Sequence, residues 1–411
     1  MITLRPYQIT LATMGLDILR EHGIVYYAMQ TRTGKTHVAL HTARQHGAES
    51  VLFITKKKAI RSIFSDYEAG EYRFKLQIIN YEQLHNVTAG NYLYICDEAH
   101  GLGAYPLPSL RTKRLRSMIG MRPLILLSGT PTPESYSQLY HQLWISGRSP
   151  FPHLNFYYWA HEYVKITQEK RGAYLVNNYS DADKERIMAV AGKLIVSFTQ
   201  ESAGFKCPVQ EHFLEVDDST IVCLQKKIFS ERVIKLFDRE MILHTCVADT
   251  PASLIGKMHQ LAGGSVICDD ATVTVSEKKA EFIKEYFSGK RIAIFYKYIG
   301  ERAILEKHFP LATISPEDFQ AHLSDTFLSQ ICSGREGIAL HSADCIVMYA
   351  IDFAAVSYFQ ARARIQDLHR DNPAQMYWIF YNGSIEKKIY KAVNEKKDFT
   401  LSYFLKSGGF R

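Results

Sequence analysis

The sequence predicts an α/β protein built from two tandem parallel-sheet lobes, and three observations carry that expectation. First, short apolar runs recur at 24–28 (IVYYA), 51–55 (VLFIT), 92–96 (YLYIC) and 124–127 (LILL), each followed by a turn and a helical stretch. Continuous apolar runs of strand length suit strands covered on both faces, as in a parallel sheet with helical connections. Second, the same signature returns at 292–296 (IAIFY), 345–351 (CIVMYAI) and 376–381 (MYWIFY), which points to a second lobe rather than one large sheet. Third, the 411 residues exceed what one hydrophobic core usually supports, so two or three domains are expected.

Between the two sets the pattern changes. Residues 151–163 are crowded with aromatics, and Ile221, Leu224, Ile228, Val233 and Phe237 fall at helical spacing. The expected organisation is therefore a first lobe over 1–147, a helical insertion or protrusion over 148–272, and a second lobe with a C-terminal brace over 273–411. The aromatics of 151–163 are read as packing for a small helical core rather than a base-stacking platform. The sequence contains no internal repeat and no low-complexity tract.

Composition narrows the class. A hydrophobic fraction of 46% with 22% charged residues is ordinary for a globular protein and leaves little room for extensive disorder. No apolar run approaches the roughly 18 residues of a membrane helix, and the first residues, with Arg5 among them, lack the apolar core of a signal peptide. Seven cysteines without a CxxC pair read as buried thiols rather than a disulfide framework or zinc site, so a cytoplasmic location is expected, without a membrane partner. A net charge of +7 suits a polyanionic partner without demanding one.

The chemistry is concentrated in two blocks. After the run at 24–28 the loop QTRTGKT, Gln30 to Thr36, leads into the helix-like stretch that begins at His37. Backbone N–H groups of such a loop and the helix N-terminus converge on a phosphate chain. Thr33 and Gly34 shape the cradle, Lys35 neutralises the β and γ phosphates, and Thr36 offers a hydroxyl to Mg²⁺. The fuller phosphate-loop pattern has a glycine five residues before Gly34, where this chain has Met29, so Arg32 and Thr33 must form the nest without it. The second block, Asp97-Glu98-Ala99-His100, follows the run at 92–96 and so sits at the carboxyl end of a buried strand, where α/β sheets bind ligands. There Asp97 can hold Mg²⁺ through water, and Glu98 can orient and deprotonate an attacking water.

Together with further motifs in the same order along the chain, these blocks resemble the superfamily-two helicases and translocases, in particular the Swi/Snf branch and compact phage helicases of the UvsW kind. Leu4-Arg5-Pro6-Tyr7-Gln8 resembles the N-terminal element in which the family's arginine and glutamine recognise adenine. VLFITKKK (51–58) and NYEQL (80–84) resemble first-lobe strand contacts, and Ser128-Gly129-Thr130-Pro131 resembles motif III, which links nucleotide state to nucleic-acid grip. The block 333–340 (SGREGIAL), with Gly337, is similar to the Swi/Snf AGGEGINL block, and Gln360-Ala361 with Arg364 resembles motif VI. The resemblance implies two RecA-like lobes, ATP with Mg²⁺, and Arg364 as a finger against the γ-phosphate, assisted by Gln360. It departs at Asp367, where the family has a second arginine, a role left open between Arg362 and Arg370. Gly383-Ser384-Ile385-Glu386 followed by Lys396 looks like the segment that braces the two lobes.

The implied activity is ATP-driven movement along duplex, forked or branched DNA in replication or recombination, by a monomer, with replication or recombination proteins as candidate partners. Lys56, Lys57, Lys58 and Arg61 are candidates for one grip on the phosphodiester backbone, and Tyr296 and Lys297 for the other. Two alternatives are weighed beside it. One is a duplex translocase that does not separate strands; the other, from a different class, is a phosphate-loop kinase or nucleotide-gated binding module.

Overall fold

The computed structural model describes residues 3–171, 174–205, 209–269, 271–331, 340, 342–353, 362, 372–394, 404–405 and 407–410. The chain is α/β and divides into two compact units, Met1–Gly204 and Phe205–Arg411.

The first unit opens with α1 (Pro6–His22), started by Pro6 at its first turn and ended by Gly23 at φ 72°. Strand β1 (Ile24–Met29) follows, then α2 (Lys35–His46), β2 (Ser50–Thr55), β3 (Lys75–Asn80), β4 (Leu93–Cys96) and β5 (Leu124–Leu127). Strands β6 (Thr167–Arg171) and β7 (Tyr174–Asn178) form an antiparallel hairpin, and β8 (Ile195–Phe198) returns to the main sheet. That sheet has six strands in the order β3-β2-β4-β5-β1-β8, all parallel.

The interior strands are apolar throughout because both faces are covered. Ile24, Tyr26, Leu52, Ile54, Tyr94, Leu124 and Leu126 feed one core, and their neighbours Val25, Tyr27, Val51, Phe53, Ile95, Ile125 and Leu127 feed the other. Each such side chain contributes about 1.5–3 kcal/mol on burial. In the aromatic-rich segment Phe151, Phe156, Trp159 and Tyr163 are buried, in the core of the first sheet rather than in a separate helical core, while Tyr157 and Tyr158 are exposed.

The second unit begins with β9 (Gln210–Val216), followed by the hairpins β10 (Val233–Phe237) with β11 (Leu243–Val247) and β12 (Ser265–Ile267) with β13 (Thr272–Thr274). Strands β14 (Ile292–Tyr296), β15 (Thr326–Gln330), β16 (Cys345–Met348) and β17 (Gln375–Tyr381) complete a five-stranded sheet in the order β15-β14-β16-β17-β9, again all parallel. No helix among the described residues is long and apolar enough to cross a membrane.

Two sequence expectations are corrected here. Residues 148–272 are not one helical insertion: β8 completes the first sheet, β9 forms an edge of the second, and the compact units meet in sequence at 204/205. Val233 and Phe237 do not continue a helix either. The helix Ser219–Glu231 stops where Arg232 takes φ 65°, and the next five residues alternate exposed and buried as β10.

Behind the second sheet lies a charged pair with no access to water. Lys279 Nζ donates to Glu386 Oε1 (2.9 Å) and Oε2 (3.1 Å), to Ala262 O (2.9 Å) and to Tyr349 O (3.1 Å). The side chains are 0% and 1% exposed. The segment expected to brace two lobes thus anchors Glu386 inside the second unit, because a carboxylate at that depth needs its charge matched locally. Glu386→Ala is expected to destabilise the second unit by about 3–5 kcal/mol, leaving the first unchanged. Denaturant-dependent hydrogen exchange resolved by segment checks this, and equal losses in both units refute it.

Candidate nucleotide-binding site

The parallel arrangement brings the ends of β1, β4 and β5 to one edge. Strand β5 lies between the other two, with Tyr27 beside Leu127 and Cys96 beside Leu126. The loop leaving β1 and the acids leaving β4 therefore emerge at the same edge of the first unit, the carboxyl end of the sheet.

The loop over 30–34 is held from within and from both sides. Within it, Thr33 Oγ1 donates to Gln30 O at 2.7 Å, and Thr33 is fully buried. From α1, the Tyr7 hydroxyl (3.2 Å) and Gln8 Nε2 (3.5 Å) donate to the Thr33 carbonyl. Gln8 Oε1 in turn accepts from the Arg5 backbone N–H at 2.9 Å. Gln8 is thus a buried loop brace, whereas Arg5 is exposed at the helix start. Two residues adopt left-handed backbone, Arg32 (φ 64°) and Gly34 (φ 83°). The backbone at Gly34 favours glycine, and a Cβ there would stand 2.0 Å from Gln8 Nε2, so that side chain would have to leave its place on the loop. Arg32 takes up its conformation without glycine, and Met29 is the buried last residue of β1. Lys35 and Thr36, both partly buried, begin the 12-residue α2, whose first N–H groups point out of the helix end.

At the end of β4, Asp97 Oδ2 accepts from Thr55 Oγ1 at 2.9 Å, and its carbonyl accepts from the Tyr81 hydroxyl at 2.5 Å. Burial pushes the Asp97 carboxyl up to about 6, the neighbouring Glu98 carboxylate adds to the rise, and Lys35 and the Thr55 hydrogen bond oppose it. Glu98 sits at φ 49°, a turn that starts the short 3-10 segment Ala99–Leu102. His100 Nδ1 lies 3.3 Å from Glu98 Oε2 and 3.0 Å from Ser128 Oγ, and Ser128 Oγ accepts from the Thr130 N–H at 3.1 Å. The segment 128–130 also lies against the loop, since a Cβ on Gly129 would meet Thr31 Cγ2 at 3.4 Å.

These residues fit a triphosphate with a hard divalent cation. The donors are backbone N–H groups at a helix start, an ammonium and a hydroxyl. The acid that shares this sheet edge is Asp97, a carboxylate of the type that suits a hard cation.

The other candidate residues fare unevenly. Lys57, Lys58 and Arg61 are exposed just past β2, on the same sheet edge as the loop, and Lys56 is partly buried beside them. In the second unit, Tyr296 is 6% exposed within the core as the last residue of an interior strand, so its ring is not offered to a polyanion and it drops out of the proposed grip. Lys297 Nζ pairs with Asp352 Oδ1 at 3.1 Å and lies 4.0 Å from the Phe353 ring centre. Arg362 Nε stands 3.5 Å from Glu211 Oε1, an ion pair within its own unit. Gly337, Gln360, Arg364, Asp367, Arg370 and Lys396 lie outside the described residues. Sequence reasoning missed the roles of Thr55, Tyr7 and Gln200, whose side-chain Nε2 donates to Thr31 O at 3.0 Å. No protein-family model matches the chain, and no curated protein matches it in sequence.

The Asp97 environment makes a prediction independent of any ligand. A carboxyl raised in the folded state costs stability above its folded pKa, and the cost disappears below the ordinary carboxylate value, where both states are protonated. Asp97→Asn is therefore expected to stabilise the first unit by about 1–3 kcal/mol at pH 7.5, with the gain shrinking as pH falls from about 6 towards 4. Chemical denaturation of both proteins across this range checks it. A gain that is constant with pH assigns the effect to packing.

Proposed function

We propose that the chain is an ATP-hydrolysing motor on DNA, a helicase or translocase with two RecA-like lobes. What supports this reading is one convergence: Gly34, Lys35 and Thr36 at the start of α2 share a sheet edge with Asp97 and Glu98 at the end of β4. The sequence resemblance supplies the second-unit half of the machine.

In this reading the backbone of 31–35 and Lys35 hold the phosphate chain of ATP, and the Arg5 side chain stands at the adenine end. Gln8, engaged with Thr33 and Arg5, acts by shaping the loop rather than by offering both its amide atoms to the base. Thr36 and Asp97 would hold Mg²⁺, which when bound neutralises developing charge on the phosphate oxygens. Glu98 orients a water for in-line attack on the γ-phosphorus and accepts its proton as the bond to the β–γ bridging oxygen breaks. His100 sits between Glu98 and Ser128, so it positions the Glu98 carboxylate and carries its state to the motif III segment. The resemblance assigns the transition-state cation to Arg364, with Gln360 in the same motif, and a nucleotide contact to Gly337. Lys56, Lys57, Lys58 and Arg61 grip the DNA backbone from the first unit, and Lys297, steered by Asp352, from the second.

The deciding experiment is ATP turnover without polynucleotide and with single-stranded DNA, duplex, fork, four-way junction and RNA at one salt concentration, with strand separation followed in parallel. Stimulation by DNA is expected, whereas a kinase or nucleotide-gated module does not respond to polynucleotide. Duplex-stimulated turnover without strand separation selects the translocase. Lys35→Ala is expected to lose ATP binding or turnover. Glu98→Gln should retain binding and lose about 100-fold or more in turnover, with longer residence on DNA; equal turnover by variant and wild type removes Glu98 from catalysis. Arg364→Ala should keep nucleotide affinity within several-fold and lower DNA-stimulated turnover by about 100-fold or more. Weakened DNA binding alone overturns the finger assignment.

A further inference from the structure

The phosphate loop carries a second set of contacts that no motif accounts for. They come from the stretch through which the chain leaves the first unit. Strand β8 lies beside β1 at the sheet edge, and its last residue, Phe198, stacks on Tyr7 with ring centres 4.8 Å apart. The Gln30 N–H donates to Phe198 O at 3.0 Å. Two residues on, the Gln200 N–H donates to Gln30 Oε1 at 2.7 Å, and Gln200 Nε2 donates to Thr31 O at 3.0 Å. The first two residues of the loop are thereby tied, by backbone and side chain, to residues 198–200, and the first unit ends at Gly204.

We infer that Gln200 is a positioning residue of the phosphate loop, and that the Gln30–Gln200 contacts make the exit segment of the first unit respond to nucleotide binding. The inference rests on the nucleotide reading above. The physical argument is that Gln30 serves both sides. Its carbonyl accepts from the Thr33 hydroxyl and so sets the loop's curvature, while its side chain and N–H hold 198–200. A loop that tightens around a phosphate chain shifts Gln30 and Thr31, and both anchors of Gln200 shift with them. Gln30 is exposed and Gln200 partly so, which makes the contacts weak enough to be made and broken within a catalytic cycle. Tyr7 joins the two ends of the arrangement, because its hydroxyl holds Thr33 O while its ring holds Phe198.

The test uses the full chain with ATP·Mg²⁺ and hydrogen exchange read on peptides covering 198–204. This is a direct readout, since the Gln200 N–H is itself one of the bonds in question. In the wild type, saturating ATP·Mg²⁺ is expected to slow exchange there by about 3- to 10-fold, the worth of one modest hydrogen bond. Gln30→Ala should abolish that response while leaving nucleotide affinity within about 10-fold. Gln200→Ala, which keeps the backbone bond to Gln30 and loses the one to Thr31, should retain part of it. Binding of ATP·Mg²⁺ by the wild type with unchanged exchange in 198–204 overturns the inference alone, as does a full response in Gln30→Ala. Absence of any ATP·Mg²⁺ binding by the wild type overturns both the nucleotide reading and the inference resting on it.

Discussion

The register of β5 between β4 and β1 is the constraint on which the candidate site depends. Because all three strands run parallel, their carboxyl ends lie at one edge, and with Tyr27 beside Leu127 and Cys96 beside Leu126 they end nearly level. Neighbouring strands in a sheet are about 4.8 Å apart, so the loop after β1 and the acids after β4 lie about two strand spacings from each other. A slip of one residue in either pairing turns each strand's two faces inside out, and both cores resist this because alternate residues are buried on opposite sides. The geometry of the site is thus set in the first place by hydrophobic packing. Polar contacts add to it: Thr55 on Asp97, Tyr7 and Gln8 on Thr33, His100 between Glu98 and Ser128.

How much of this was legible in the sequence follows from the same packing. Every strand read from a continuous apolar run is interior to its sheet: β1, β2, β4 and β5 in the first unit, β14, β16 and β17 in the second. Within the two parallel sheets the strands left unread are the four edges, β3, β8, β9 and β15, and the three small antiparallel hairpins went unread as well. An edge strand has one side against water, so its composition loosens. KLQIIN in β3 and QEHFLEV in β9 mix charge with apolar residues, and IVSF in β8 is too short to stand out. The misplaced boundary has this single cause. With β8 and β9 unread, the stretch between two recognised lobes looked like an insertion, although it contains the last strand of one sheet and an edge of the other.

Within the candidate site a similar division holds. Residues that must have one chemical type declare themselves: a lysine after glycine at a helix start, two acids after a buried strand. Residues that work through ordinary hydrogen bonds do not. Nothing in the sequence around Thr55 or Gln200 marks a threonine hydroxyl turned to Asp97 or a glutamine folded onto the loop, since their partners lie 42 and 169 residues away. Tyr296 shows the opposite error. An aromatic beside a lysine reads as a nucleic-acid contact, but as the last residue of an interior strand its ring belongs to the core.

Two carboxylates past strand ends, half-buried Asp97 and buried Glu386, differ in how their charge is met. Glu386 receives an ammonium at 2.9 and 3.1 Å, the Tyr381 N–H at 3.0 Å and the Ser384 hydroxyl at 3.2 Å. Its charge is matched where it stands, and its task is complete when the fold is. Asp97 accepts from one hydroxyl and the adjacent Glu98 N–H, has a second carboxylate beside it, and is opposed in its rise by the Lys35 charge. A fold that only needed to bury Asp97 would have done better with an asparagine or a cation in contact. Asp97 thus has less local compensation than Glu386, and that difference is what the proposed reading of a divalent cation on a triphosphate draws on.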